Sequence, residues 1–426
     1  MEEKNNIPQI RFKNFDENWE VKEFKEIFSN LPNNTLSRAE LNYQTGLFKN
    51  VHYGDVLIKF GELLDVKNDR IPFISNDTLG NKFKLSKLQN GDIIIADTAE
   101  DETVGKCTEL INAENENVVS GLHTIPVRPI QHFASKYLGY YLNSSSYHDQ
   151  LLQLMQGIKV LSISKSALKS TVLVYPQEKF EQSKIGTYFQ NLDKLITLQQ
   201  QKHDKLVTLK KAMLDKMFPT EGADVPEIRF MGFTGDWDEE KLGDIGYTYT
   251  GLTGKTKADF GHGNGKYITY MNVFSNPVAD NDITEAIEVD NNQNKVQFGD
   301  VFFTTSSETP EEVGMSSVWL KNCHNTYLNS FCFGYRPNIK VDNYYFAYLL
   351  RSTVIRKRII FLAQGISRYN ISKNKVMEIS VPLPNLEEQK QIGSYFQNLD
   401  KLISLHQQEI QKLKNIKKAC LEKMFV

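Results

Sequence analysis

The sequence predicts an α+β chain of two pseudo-symmetric halves, each a mixed α/β globule followed by a long helix, with the two helices pairing as an antiparallel coiled coil. Three observations predict it. The nonapeptide YFQNLDKLI occurs at Tyr188–Ile196 and again at Tyr395–Ile403, 207 residues further on. Matching extends outward from both copies, so that two diverged halves of about 210 residues fill the chain. Likeness is also uneven: the tails are nearly interchangeable, whereas residues Asn30 to Gly80 show little resemblance to Tyr249 to Val289. One part of each half shares a job and another part does not.

Each half opens alike. IPQIRFKNFDENWE from Ile7 matches VPEIRFMGFTGDWD from Val225, including an Arg-Phe pair, a Phe three residues later and a Trp four beyond that. Asp92–Ala96 and Asp300–Thr304 read as strands behind Gly-Asp turns, and Tyr53–Lys59 has the same Gly-Asp-strand style. The strands lead into unlike polar loops, TAEDETVGK and SSETPEEVG, which suit surface recognition and place Thr98 and Ser306 among the candidate binding residues. Segments 135–156 and 343–364 carry apolar residues at helical spacing and then reach Gly157 and Gly365, expected helix C-caps. The matched motifs QGIKVLSISK and QGISRYNISK follow.

The tails carry a heptad pattern. Ile185, Leu192, Gln199, Leu206 and Met213 occupy one seam position, and Tyr188, Leu195, Lys202, Leu209 and Lys216 the next. The second tail repeats this from Ile392 and from Tyr395. Phe189, Ile196, Phe396 and Ile403 widen the apolar stripe, as in helices that also cover another surface. Pro176 and Pro384 precede the tails, and Glu178, Glu181, Glu387 and Glu388 lie where a helix N-terminus favours acids. The expected domains are 1–176, the helix 177–219, 220–384 and the helix 385–426.

Composition excludes several classes. Hydrophobic residues make 40% and charged residues 24% of the chain, which suits globular domains. The acidic, polar start MEEKNNIPQIRF is unlike a secretory signal, and no apolar run is long enough to span a membrane, so a cytoplasmic protein is expected. Cys107, Cys323, Cys332 and Cys420 lack metal-ligand spacing and read as reduced, buried thiols. A net charge of −2 gives no global case for nucleic acid, but local patches do. Arg351, Arg356, Lys357, Arg358, Arg368, Lys373 and Lys375 gather near Tyr369 in a stretch fit to contact phosphate, and for Arg368 phosphate is favoured over a base edge. Lys159, Lys165 and Lys169 form a weaker counterpart in the first half.

Catalytic motifs fail. GLTGKT at Gly251 has two residues where a phosphate loop needs four, GHGNGK at Gly261 reads as a flexible loop, and neither a serine elbow nor HExxH occurs. No catalytic residue and no metal site is expected.

Two variable regions, each followed by PQEKFEQSKIGTYFQNLDKLI or PLPNLEEQKQIGSYFQNLDKLI, resemble the specificity subunits of type I restriction-modification enzymes along the whole chain. The resemblance implies two target recognition domains, each binding one half of a bipartite, asymmetric site in double-stranded DNA. It implies that the helices hold two modification (methyltransferase) subunits, for which Phe189, Asp193, Phe396 and Asp400 are the expected contacts. Two restriction (translocase and nuclease) subunits complete such an enzyme. S-adenosylmethionine, ATP and Mg2+ are expected on these partners, none on this chain, and no membrane partner is expected. Two other classes stay open: a duplicated coiled-coil scaffold that binds proteins only, which would lack salt-sensitive, sequence-selective DNA binding, and a self-sufficient enzyme, which would bind S-adenosylmethionine alone.

Overall fold

The protein, described by a computed structural model over residues 6–426, divides into two compact units. One runs to Gln199 and takes in Glu409–Val426, and the other is Gln200–Gln408. Both division points fall inside long helices, Lys179–Lys216 and Leu386–Lys423, of 38 residues each. Each unit therefore contains the N-terminal part of one long helix and the C-terminal part of the other.

In the first unit, a five-stranded sheet runs in the order Phe28–Asn30, Thr124–Pro129, Ile93–Ala96, Cys107–Ile111, Leu63–Asp65. Strand alternation divides the core. Ile93 and Ile95 face a cluster with Tyr137, Tyr140 and Phe189, whereas Ile94 and Ala96 face Val51, Val56 and Leu110. A second, four-stranded sheet holds Lys49–Val51 parallel to Val118–Ser120. The ribbon Glu20–Glu23 with Val172–Tyr175 ties the opening of the unit to the segment before its helix.

The second unit repeats the scheme with its own residues. Its four-stranded sheet orders Gly246–Thr250, Cys332–Pro337, Val301–Thr304 and Ser316–Val318. Val301 and Phe303 face the helical cluster and Phe302 the other. The ribbon here is Asp238–Lys241 with Ser380–Leu383.

Helix docking explains which motifs recur. In the first unit the Arg11 guanidinium grips the buried Glu181 at 2.7 and 2.9 Å, and Phe12 meets Tyr188 edge-on. In the second, Arg229 grips the buried Glu388 at 2.7 and 2.8 Å and Phe230 meets Tyr395. The glycine of the IGxYF motif permits close approach: a Cβ on Gly186 would lie 2.9 Å from the Lys136 carbonyl carbon. Phe189 stacks on Tyr140 and Phe425, as Phe396 packs on Tyr348 and Phe218. Asp193 accepts from Tyr140 and pairs with Lys417, and Asp400 accepts from Tyr348 and pairs with Lys210. Within the first unit the two helix segments run antiparallel, since Tyr188 lies beside Cys420 while Asp193 lies beside Lys417.

Local expectations change in several places. Residues Tyr53–Ile58 are helical, because His52 caps the segment by accepting from the Gly54 N–H, so this Gly-Asp opens a helix turn. Segments 135–156 and 343–364 each form two short helices, Tyr137–Leu142 with Ser145–Leu152 and Asn343–Leu349 with Thr353–Phe361. Gly157 and Gly365 lie beyond these helix ends, with φ of 125° and 146°, in hairpin turns. GHGNGK belongs to the strand Phe260–Ile268, which carries a bulge there. Leu195, Leu209 and Leu402 of the expected second seam position are 46%, 39% and 44% exposed, whereas Ile185, Leu192, Ile392 and Leu399 of the first are buried. All four cysteines are free, with Cys107 and Cys332 buried. Among the described residues no helix is long and apolar enough to cross a membrane.

Candidate nucleic-acid interface

The exposed members of the predicted binding set collect on two equivalent hairpins. In the first unit Leu161–Ser162 pairs with Thr98–Ala99, and Gln156 and Ser162 exchange backbone bonds of 2.9 and 2.8 Å. In the second, Tyr369–Asn370 pairs with Ser306–Ser307, and Gln364 and Asn370 exchange bonds of 2.9 and 2.8 Å. Gly157 and Gly365 make the turns, where a Cβ would strike the carbonyl oxygens of Val160 and Arg368 at 2.0 Å. Lys159 and Arg368 are exposed at the tips, and Lys165 and Lys373 are exposed just beyond them. Tyr369 and Thr98 are half-buried and Ser306 is buried.

A continuous set of contacts leads away from the first hairpin. Thr98 donates to Asp97 at 2.7 Å, and His123 lies 3.2 Å from the same carboxylate. The His123 ring meets Tyr53, which packs on His52. Beyond it, Arg38 and Lys59 pair with Asp55 at 2.6 and 2.9 Å, and Lys59 and Arg70 both lie over the Tyr43 ring. Burial pushes the Asp55 carboxyl up, but hydrogen bonds from Arg38 and Lys59 outweigh it and hold the group below its ordinary value. Burial, aided by Arg38, pushes His52 down to about 4 and keeps it neutral. Three cations and an aromatic ring thus gather on one surface, a combination suited to phosphates and base faces.

The second unit fills the same place differently. Tyr270 opens a helix after the strand Phe260–Ile268, as Tyr53 does after Lys49–Val51. Its hydroxyl donates to the Ser306 carbonyl at 2.8 Å, and its ring stacks on Phe274. Phe331 is 59% exposed, and its carbonyl accepts from the Thr305 hydroxyl beside the second hairpin. One frame therefore carries two unlike faces.

Several expected residues are engaged within the fold. Arg351 is half-buried and donates to the carbonyls of Ser316, Val273, Phe274 and Asn276 at 2.7 to 3.0 Å. Arg356 donates to Glu311, Val313 and Gly314, and Arg358 to Glu239 and Ser380. A guanidinium with its donors spent on carbonyls has few left for phosphate. Phe189 and Phe396 are fully buried, whereas Asp193 and Asp400 keep side chains 34% and 32% exposed and are held by Tyr and Lys partners. The repeated apolar residues that stay exposed on the helices are Leu195 and Leu198, and their counterparts Leu402 and Leu405. Sequence reasoning misses Arg38, Lys59 and Arg70 because they lie where the halves share no pattern. No cluster able to hold a metal ion occurs among the described residues.

A family model described as the type I restriction modification DNA specificity domain matches the chain twice, at residues 16–208 and 234–415. A Methanocaldococcus jannaschii protein provisionally named as the MjaX type I restriction enzyme specificity subunit is 22% identical over 452 positions, covering 97% of this chain and 94% of that one. The S subunit of a type I restriction-modification system from M. genitalium superposes with a TM-score of 0.52 at 16% identity, over 99% of both chains. A structure solved in work on complex assembly and conformational transition of the type I R-M system gives a TM-score of 0.54 at 16% identity, over 96% of this chain and 97% of that one. At these identities the structural likeness speaks for the fold.

Proposed function

The chain belongs to the type I restriction modification DNA specificity family, and from that premise we propose that each unit binds one half of a bipartite, asymmetric site in double-stranded DNA. The observation that carries this is the pairing of like frames with unlike faces. The Arg-Glu clamps, the stacked phenylalanines and the Tyr-Asp-Lys contacts recur in both units. The surface around Tyr43, Lys59 and Arg70 has no copy around Tyr270 and Phe274. Two equal mounts with different faces suit a target whose halves differ in sequence.

The chain supplies selection and leaves chemistry to its partners. Two modification subunits would dock on the helices, and we assign their contacts to Leu195, Leu198, Leu402 and Leu405, the repeated leucines that packing leaves exposed. Two restriction subunits complete the assembly, with S-adenosylmethionine, ATP and Mg2+ on the partners and the whole in the cytoplasm. Methylome sequencing of cells carrying the complete system tests the proposal. A split adenine-methylated motif that disappears when this chain is deleted is the expected result, and an unchanged methylome would overturn it.

A further inference from the structure

We propose that Ile158 and Ile366 are apolar wedges, one in each half-site, that enter a DNA groove and partly unstack a base step. This rests on the DNA-binding reading above and adds a mode of contact to it. The two side chains are 99% and 97% exposed, so the fold makes no use of their apolar surface. Each stands on a turn held by a reciprocal pair of backbone bonds and a positive-φ glycine, and anchored beyond it by the buried Ile163 or Ile371. A rigid tip loses little freedom on insertion.

Charge favours DNA as the occupant. The chain has 52 acidic and 50 basic residues, yet residues 154–169 and 363–375 contain no Asp or Glu. Those stretches carry Lys159, Lys165 and Lys169, and Arg368, Lys373 and Lys375. An apolar wedge flanked by cations matches a base step flanked by phosphates. Both tips set an isoleucine directly after the glycine, although Lys159, Val160 and Leu161 stand where the second unit has Ser367, Arg368 and Tyr369, so what the isoleucines meet should be common to both half-sites. Stacked base pairs are; a particular base is not. Acidic residues do follow the paired strands, at Glu100, Asp101 and Glu102 and at Glu308, Glu311 and Glu312. A basic protein surface is therefore the competing occupant.

The test compares the full chain and its I158S/I366S variant, each assembled with the modification subunits, on duplexes of the methylated motif carrying 2-aminopurine at successive steps. Wild type should raise 2-aminopurine fluorescence at one step in each half. The variant should lose that rise and bind about tenfold more weakly, with an unchanged salt slope because no charge was removed. Assembly without DNA should be unaffected. Retained fluorescence and affinity would overturn the wedge while leaving the DNA reading intact, and loss of assembly without DNA would give the tips to a protein partner. Absence of selective DNA binding by the wild-type complex would instead defeat the underlying reading.

Discussion

Lys417 lies 2.7 Å from Asp193 and 2.8 Å from Glu62, so one ammonium from the second long helix holds two carboxylates of the first unit. Its side chain is 16% exposed. Replacing it by Met leaves the carboxylates facing each other with little water, and should destabilise the first unit by about 2 to 3 kcal/mol. Chemical denaturation followed by hydrogen exchange, which resolves the two units, checks this. Protection in Gln200–Gln408 should be retained.

The basic residues should separate into two classes. Arg368→Ala, at an exposed tip, should leave thermal stability unchanged and lower the slope of log affinity against log salt by about 1. Arg351→Ala, which orphans four carbonyls, should lower the melting temperature of the second unit instead. Calorimetry and salt titration of both variants decide.

Two buried groups in the first unit oppose each other in pH. Glu109 accepts from the N–H groups of Lys136 and Gly139 at a helix start, and burial pushes it up from 4.5 to about 7. Its folded value lies above its unfolded one, so its contribution is full below 4.5 and is lost as pH rises to about 7. His52, pushed down from 6.5 to about 4, works the other way: its contribution is full above 6.5 and is lost as pH falls to about 4. Glu109→Gln should therefore leave a stability that rises between pH 4 and 6.5, and His52→Asn one that falls between 4.5 and 7. Denaturation midpoints across pH 4 to 8 would show parallel slopes if either assignment were wrong.

Replacing residues 30–175 with another variable region should change one half of the methylated motif and leave the other half alone. Methylome sequencing of the hybrid checks it. A change in both halves would contradict independent reading by the two units.

Much of the fold is legible because the chain can be compared with itself. The repeated IRF, Trp, IGxYF and KMF motifs mark the residues by which each unit grips its helices, and all of them recur for that reason. Burial direction is less legible. A heptad stripe does not say which side another element covers: the pattern puts Leu195 in the seam, where it is 46% exposed, while Phe189, which the family resemblance offers to a partner, is fully buried. The run from Arg351 to Arg358 looks like a surface, yet Arg351, just ahead of the short helix, and Arg356 and Arg358 on it donate to the carbonyls of Ser316, Gly314 and Ser380. Arg38, Lys59 and Arg70 converge only through tertiary folding, and no spacing along the chain announces that.

Phe425 packs on Trp19, Tyr137, Tyr141 and Phe189, so a residue just past the second long helix completes a core begun around Trp19. During synthesis this reverses the usual order. The second unit, Gln200–Gln408, is continuous and has all its residues once its own segment has emerged, whereas the first waits with an unfilled aromatic socket until Glu409–Val426 has followed. A stop codon within Glu409–Val426 would consequently damage the N-terminal half of the protein and spare the C-terminal one.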